Sequence, residues 1–216
     1  MDATSEAIRA SLEQHELFEM GPLPGRTNHI QAGVLVPLVW APQLCVLMTV
    51  RSAQLRIHPG DPCFPGGRSE PGDRDLLATA LREANEELGI RDPEILGRLS
   101  SVPLYTSDHR IEPFVAAVRQ TEVTPCEDEV DSVLQIPLSE LLAQPTLDAI
   151  PWIHEGEEQL SPVFSWQGHL VYGATAHTLH ELLAVIAKTT GVALPPLAAG
   201  RFSWQDAMPD FVAPWA

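Results

Sequence analysis

The sequence predicts an α/β domain, and three observations point that way. Runs rich in Val and Leu at 31–40 (QAGVLVPLVW) and 44–51 (LCVLMTVR) read as a buried hairpin. Helical stripes at 74–88 and 175–188 alternate with further strand-like runs at 95–102 and 111–118. Between the hairpin and the first of these helices lies 52–73, where Pro59, Pro62, Pro65 and Pro71 mix with Gly60, Gly66, Gly67 and Gly72. So long a stretch, too rich in turn residues for regular structure, is either functional or disordered.

The elements follow in order. A first helix is capped by Thr4 or Ser5, carries Ile8, Leu12 and Leu17–Phe18 on its apolar side, and stops at Gly21-Pro22. The Pro/Gly-rich GPLPGRTN leads into the hairpin. In 74–88, Leu77, Ala80, Leu81, Ala84 and Leu88 form one stripe; Gly89 supplies a C-terminal cap and Asp92-Pro93 prevents continuation. EVDSVLQIPLSELL (129–142) suggests a strand and then a helical turn, and 151–159 reads as a loop. A short hairpin at 162–166 and 169–172 turns at Gln167-Gly168. The expected organisation is an N-terminal helix and linker (1–27), one domain (28–190) and a Pro-rich C-terminal tail (191–216), either packed or mobile, with no internal repeat.

Bulk properties narrow the function. The 216 residues suit one generous domain, and 44% hydrophobic residues suffice for a core. Thirteen Lys+Arg against 29 Asp+Glu give a net charge of −16, which argues against a nucleic-acid or anionic-membrane surface. A small anionic substrate stays compatible if a few arginines are placed locally. Cys45, Cys63 and Cys126 lack metal-type spacing and read as reduced thiols. The acidic N-terminus lacks a signal-peptide pattern, and no apolar run approaches the ~20 residues of a membrane helix, so the expected compartment is the cytoplasm.

The chemistry concentrates in REANEELGI (82–90), which crowds Glu83, Glu86 and Glu87 onto one third of a helix. Like charges at this spacing repel. The helix alone favours a solvated acidic face; a divalent cation held by carboxylates is the other reading. The flanking residues tip the balance. FPGGRSEPGD (64–73) followed by RDLLATALREANEELGI (74–90) resembles the Nudix box, G-x5-E-x7-R-E-U-x-E-E-x-G-U, with U aliphatic. Gly67 matches its first glycine, and Arg82, Glu83, Ala84, Glu86, Glu87, Gly89 and Ile90 match its second half. Asp73 replaces a Glu, one extra residue precedes Arg82, and Ala84 is smaller than usual. Residues 47–67, LMTVRSAQLRIHPGDPCFPGG, resemble the coenzyme A diphosphatase signature L-L-T-x-R-[SA]-x3-R-x3-G-x3-F-P-G-G, with Met48 the one departure. Many of those proteins have Gln where this chain has Asp61. The resemblance covers roughly residues 28–188.

The resemblance implies a Nudix fold, an α/β/α sandwich with a mixed β-sheet. It implies hydrolysis of a diphosphate (an acid anhydride of phosphorus) with Mg²⁺ or Mn²⁺ as cofactor. It names Glu83, Glu86 and Glu87 as metal ligands, joined by a carbonyl of the Gly66-Gly67 turn, with Gly67 foremost. Glu83 and Glu87 rank first, being four apart on one face; Glu86 is a ligand or a base. Glu129 is the late carboxylate, against the alternative that CEDEVD is a solvated acidic run. Arg82, with Asp73, orients a box carboxylate rather than binding phosphate. Arg51 and Arg56 are placed to receive the phosphates, and His58 either touches the ligand or packs the loop. The implied partner is a small molecule, coenzyme A or an acyl-CoA; a homodimer stays open. The rivals are another nucleoside diphosphate derivative, CoA-capped RNA, or an inactive Nudix module that senses a ligand.

Overall fold

The structure is a computed structural model that describes residues 4–40, 42–119, 123–154 and 156–209. Its centre is a mixed sheet whose main path runs β3 (Pro62–Cys63), β2 (Leu44–Arg51), β1 (Ile30–Trp40), β7 (His109–Ala117) and β5 (Glu94–Arg98). Short strands β4 (Gly66–Arg68) and β6 (Val102–Pro103) add to β1 and β7, and β8 (Val130–Pro137) adds to β2. β1 runs antiparallel to β2 and β4 but parallel to β7.

Side chains of a strand alternate between faces, so a sheet buried on both sides builds two cores. Val34, Val36 and Leu38 of β1, with Val46 and Met48 of β2, enter one core. There they meet α1 (Ser5–Glu13), α3 (Leu138–Leu142) and α4 (Gly173–Thr190). Leu35 and Val39, with Cys45 and Leu47, enter the other, under α2 (Leu76–Leu88). The result is an α/β/α sandwich.

Helix α2 begins where Asp75 accepts from the Ala78 amide at 2.7 Å and ends at Gly89, whose φ of 65° suits a left-handed cap. Its seat depends on Gly33: a Cβ there would run into the Leu76 carbonyl. Because α2 lies this close to β1, its glutamates reach the sheet.

Three sequence expectations change. The first helix ends at Glu13, so Leu17–Phe18 lie beyond it and Phe18 is exposed. The run 95–102 splits into β5 and β6, with a register irregularity between Ile95 and Gly97. The stretch 151–159 is not a loop: β9 (Leu147–His154) and β10 (Glu157–Pro162) form a hairpin. Pro151 obscures the strand pattern, and part of the stabilisation comes from far away. β13 (Leu197–Ala199) pairs in parallel with β9, and Ala207 and Met208, from α5 (Trp204–Ala207) and the residue after it, pack on Ile150 and Val163. The tail is therefore packed through residue 209; 210–216, like 1–3, lie outside the described residues. The hairpin of β11 (Phe164–Trp166) and β12 (His169–Val171) turns at Gln167-Gly168, both at positive φ.

Candidate active site

Glycine at two facing positions lets the site form. β4 pairs with β1 so that Gly67 stands opposite Gly33 and Gly66 opposite Val34. Glu83 of α2 lies directly over Gly67, where any Cβ would collide with its carboxylate. The Gly66 amide donates to Glu87, and the Pro65 carbonyl is held by the Leu35 amide at 2.8 Å. Backbone and carboxylates thus approach within hydrogen-bond reach without a side chain between them.

The three glutamates differ sharply. Glu87 is 5% exposed, while the Glu86 side chain keeps 54% of its surface and Glu83 sits between them. Burial pushes the Glu87 carboxyl up to about 7; the Gly66 amide opposes this, and Glu83 adds to it. Burial also raises Glu83, against the pull of Arg82. The charge of Glu129 adds to both shifts, and Arg51 lowers Glu87. Glu83, Glu87, Glu129 and Arg51 therefore share one electrostatic neighbourhood. Among the described residues, no three acidic, His or Cys side chains form a ready-made cation cage.

Arg82 occupies the place between the carboxylates. Its Nη1 lies 3.0 Å from both Glu83 and Glu86. Its Nε and Nη2 grip Asp73 at 3.2 and 3.1 Å, and Nη2 also reaches the Arg68 carbonyl at 3.1 Å. Bonding to Arg82, then to the Glu70 amide, holds Asp73 at about 2. Thr79, fully buried on α2, donates to Asp73 at 3.0 Å; its role had no sequence signal. With its guanidinium so engaged, Arg82 orients carboxylates instead of reaching out to a ligand.

The loop before β3 approaches from the other side. Its neck closes where the Arg51 amide donates to Asp61 at 3.1 Å and the Gly60 amide to Arg51 at 3.0 Å. The Ser52 amide donates to the Glu129 carbonyl at 2.8 Å, and Cys126 donates to the Glu87 carbonyl at 2.9 Å, so the acidic run is tied to both loop and helix. Arg51 Nε reaches the Ile57 carbonyl at 3.2 Å. Arg56 is exposed at the tip beside Ile57, itself 66% exposed, so the tip is held from its base alone. His58 faces inward, with protein partners on both ring nitrogens. Cys63 packs against Thr49, and burial pushes its thiol up to about 11.

Of the residues singled out in the sequence, Gly66, Gly67, Glu83 and Glu87 are in contact, Glu129 and Arg51 share their field, and Glu86 lies toward solvent, while Arg56 is exposed on the loop with no contact to them. Comparison with known proteins shows the family. The family profile for the NUDIX domain matches residues 29–155. A Nudix hydrolase named NudL from Photorhabdus laumondii subsp. laumondii is 34% identical over 171 residues, 76% of this chain and 90% of the relative. NudL from Pectobacterium atrosepticum is 39% identical over 157 residues, 70% of this chain and 80% of the relative. Neither name specifies a substrate. A solved NUDIX hydrolase from Nitrosomonas europaea aligns at TM-score 0.49 and 16% identity, over 88% of this chain and 84% of that one. A profile matched over more than half the length, and relatives alike along most of both chains, show that the chain belongs to the Nudix family and is a Nudix hydrolase.

Proposed function

We propose that the chain is a Mg²⁺- or Mn²⁺-dependent diphosphatase that cleaves coenzyme A or its acyl derivatives. The products are 4′-phosphopantetheine, or its acyl form, and 3′,5′-ADP. A water oxygen bonds to one phosphorus, the bridging P–O bond breaks, and the departing phosphate leaves with that oxygen. Nudix hydrolases as a family hydrolyse diphosphate bonds and generally use divalent cations. The donor set fits such an ion: hard carboxylate oxygens, one of them raised by burial to about 7. Glu83, Glu86 and Glu87 would hold it, with the Gly67 carbonyl and Glu129 adjoining. When bound, the ion polarises the phosphates and activates water.

The observation that supports coenzyme A is the junction of the two sequence patterns. The loop resembling the coenzyme A diphosphatase signature does not hang free. Through Ser52 it is tied to Glu129, and through Arg51 it shares the field of Glu87. Arg51, in the field of Glu87, and Arg56, exposed on the same loop, would take the phosphate charge. The test is a panel of coenzyme A, acetyl-CoA, NADH and ADP-ribose with Mg²⁺ or Mn²⁺, products resolved by chromatography. Release of 3′,5′-ADP from coenzyme A supports the reading. Intact coenzyme A with cleavage of the others overturns it.

A further inference from the structure

Four side chains outside the glutamate helix form a continuous chain of hydrogen bonds. The Tyr172 hydroxyl donates to Asp61 Oδ2 at 2.7 Å. The same oxygen lies 2.9 Å from His58 Nδ1, and His58 Nε2 lies 3.0 Å from the Thr106 hydroxyl. One proton arrangement satisfies every group: Tyr172 and Nδ1–H donate to Asp61, and Nε2 accepts from Thr106. The chain joins three distant segments, the N-cap of α4, the 104–109 loop and the neck of the arginine loop. His58 has φ 53°, a conformation an L-residue adopts at some cost, so the bonds on its ring hold a backbone that would otherwise relax. Burial, then the bond to Asp61, raises the Tyr172 hydroxyl and keeps it a donor. Arg51, which lies in the field of Glu87, donates to the Ile57 carbonyl, and Arg56 precedes Ile57 in the same loop.

We infer that Tyr172 and Asp61, acting through His58, are positioning residues that hold the 52–60 loop, and Arg56 with it, where the substrate's phosphates arrive. This rests on the proposed function. It also gives Asp61, which stands where many proteins with this loop pattern have Gln, a defined task. Both ring nitrogens of His58 are taken by protein partners, the arrangement of a residue that packs the loop.

The experiment uses Tyr172→Phe, which removes one hydroxyl and keeps the ring. Amide hydrogen exchange should quicken in 52–60 and stay unchanged in α2. The KM for coenzyme A should rise about fivefold, the size of one ordinary hydrogen bond, with kcat within about twofold. Adding Arg56→Ala should raise KM no further than Arg56→Ala does alone, because both act through one loop. Thr106→Val, cutting the other bond to His58 from a different element, should reproduce the exchange result if Tyr172→Phe folds poorly. Unchanged exchange in 52–60, or KM effects that simply add, would overturn the inference. If the wild-type protein leaves coenzyme A intact, the substrate reading fails, while the exchange measurement still judges the clamp.

Discussion

The two sides of the site are held by opposite means. On the α2 side, Arg82 ties Asp73, Glu83 and Glu86 together, and all four lie within a short stretch of chain. On the loop side, neutral and singly charged groups from residues 58, 61, 106 and 172 meet across the fold. The first is local and ionic, the second long-range and hydrogen-bonded. On the proposed function, a site for cation and phosphate would call for such an ionic frame, and a loop that receives substrate for an anchored base with an exposed tip.

The largest effect expected is on the glutamate side. Glu87→Gln should lower turnover by at least ~100-fold with the circular dichroism spectrum unchanged, comparable to losing a group that stabilises transition-state charge. A variant with wild-type turnover would remove Glu87 from the metal site. Next come the facing glycines, which separate seat from site. Gly33→Ala forces the Leu76 backbone away and should cost about 2 kcal/mol of stability, read from a urea midpoint. Gly67→Ala displaces a side chain, Glu83, and should cut turnover more than stability; the reverse ranking would break the distinction.

On the loop side, Arg56→Ala should raise KM about tenfold with kcat preserved, the loss of one charge-assisted contact. Unchanged kinetics would exclude Arg56 from the phosphate site. The smallest effect at neutral pH, and a sharper test of the contrast, is acid sensitivity. Burial, then His180, lowers His177 of α4 from 6.5 to about 4, so it stays neutral in the fold while the unfolded chain takes up a proton below 6.5. Its contribution is therefore lost as pH falls from 6.5 to 4, by about 3 kcal/mol. Asp73 moves from 3.8 to about 2, so the Arg82–Asp73 link persists down to pH 3.8 and fails between there and 2. Glu87, raised from 4.5 to about 7, acts with the opposite sign over this window, so the loss from α4 is read as a difference in urea midpoints. Wild type should lose stability relative to His177→Gln between pH 7 and 5, and the two should run parallel from there to pH 3 apart from the last unit of the His177 titration.

What could be read in the sequence follows the same division. The α2 stripe, its Gly89 cap, the hairpin of β1 and β2 and the Glu83/Glu86/Glu87 set are local patterns, and spacing along the chain expresses them directly. The link of Arg82 to Asp73 spans nine residues and was legible too. Gly33 was not, because its requirement comes from a helix more than forty residues later that crosses β1. β9 was missed because its partner β13 lies in the tail and Pro151 interrupts its pattern. Neither Tyr172 nor Thr106 is given a role by the sequence: a phenol and a hydroxyl acquire one only when folding brings a partner within 3.0 Å. Sequence alone determined which residue types could bind a cation and a diphosphate, since that chemistry resides in side chains. Tertiary structure alone decided how the 52–60 loop is anchored, since its bonds to Thr106 and Tyr172 join segments that the chain order keeps apart.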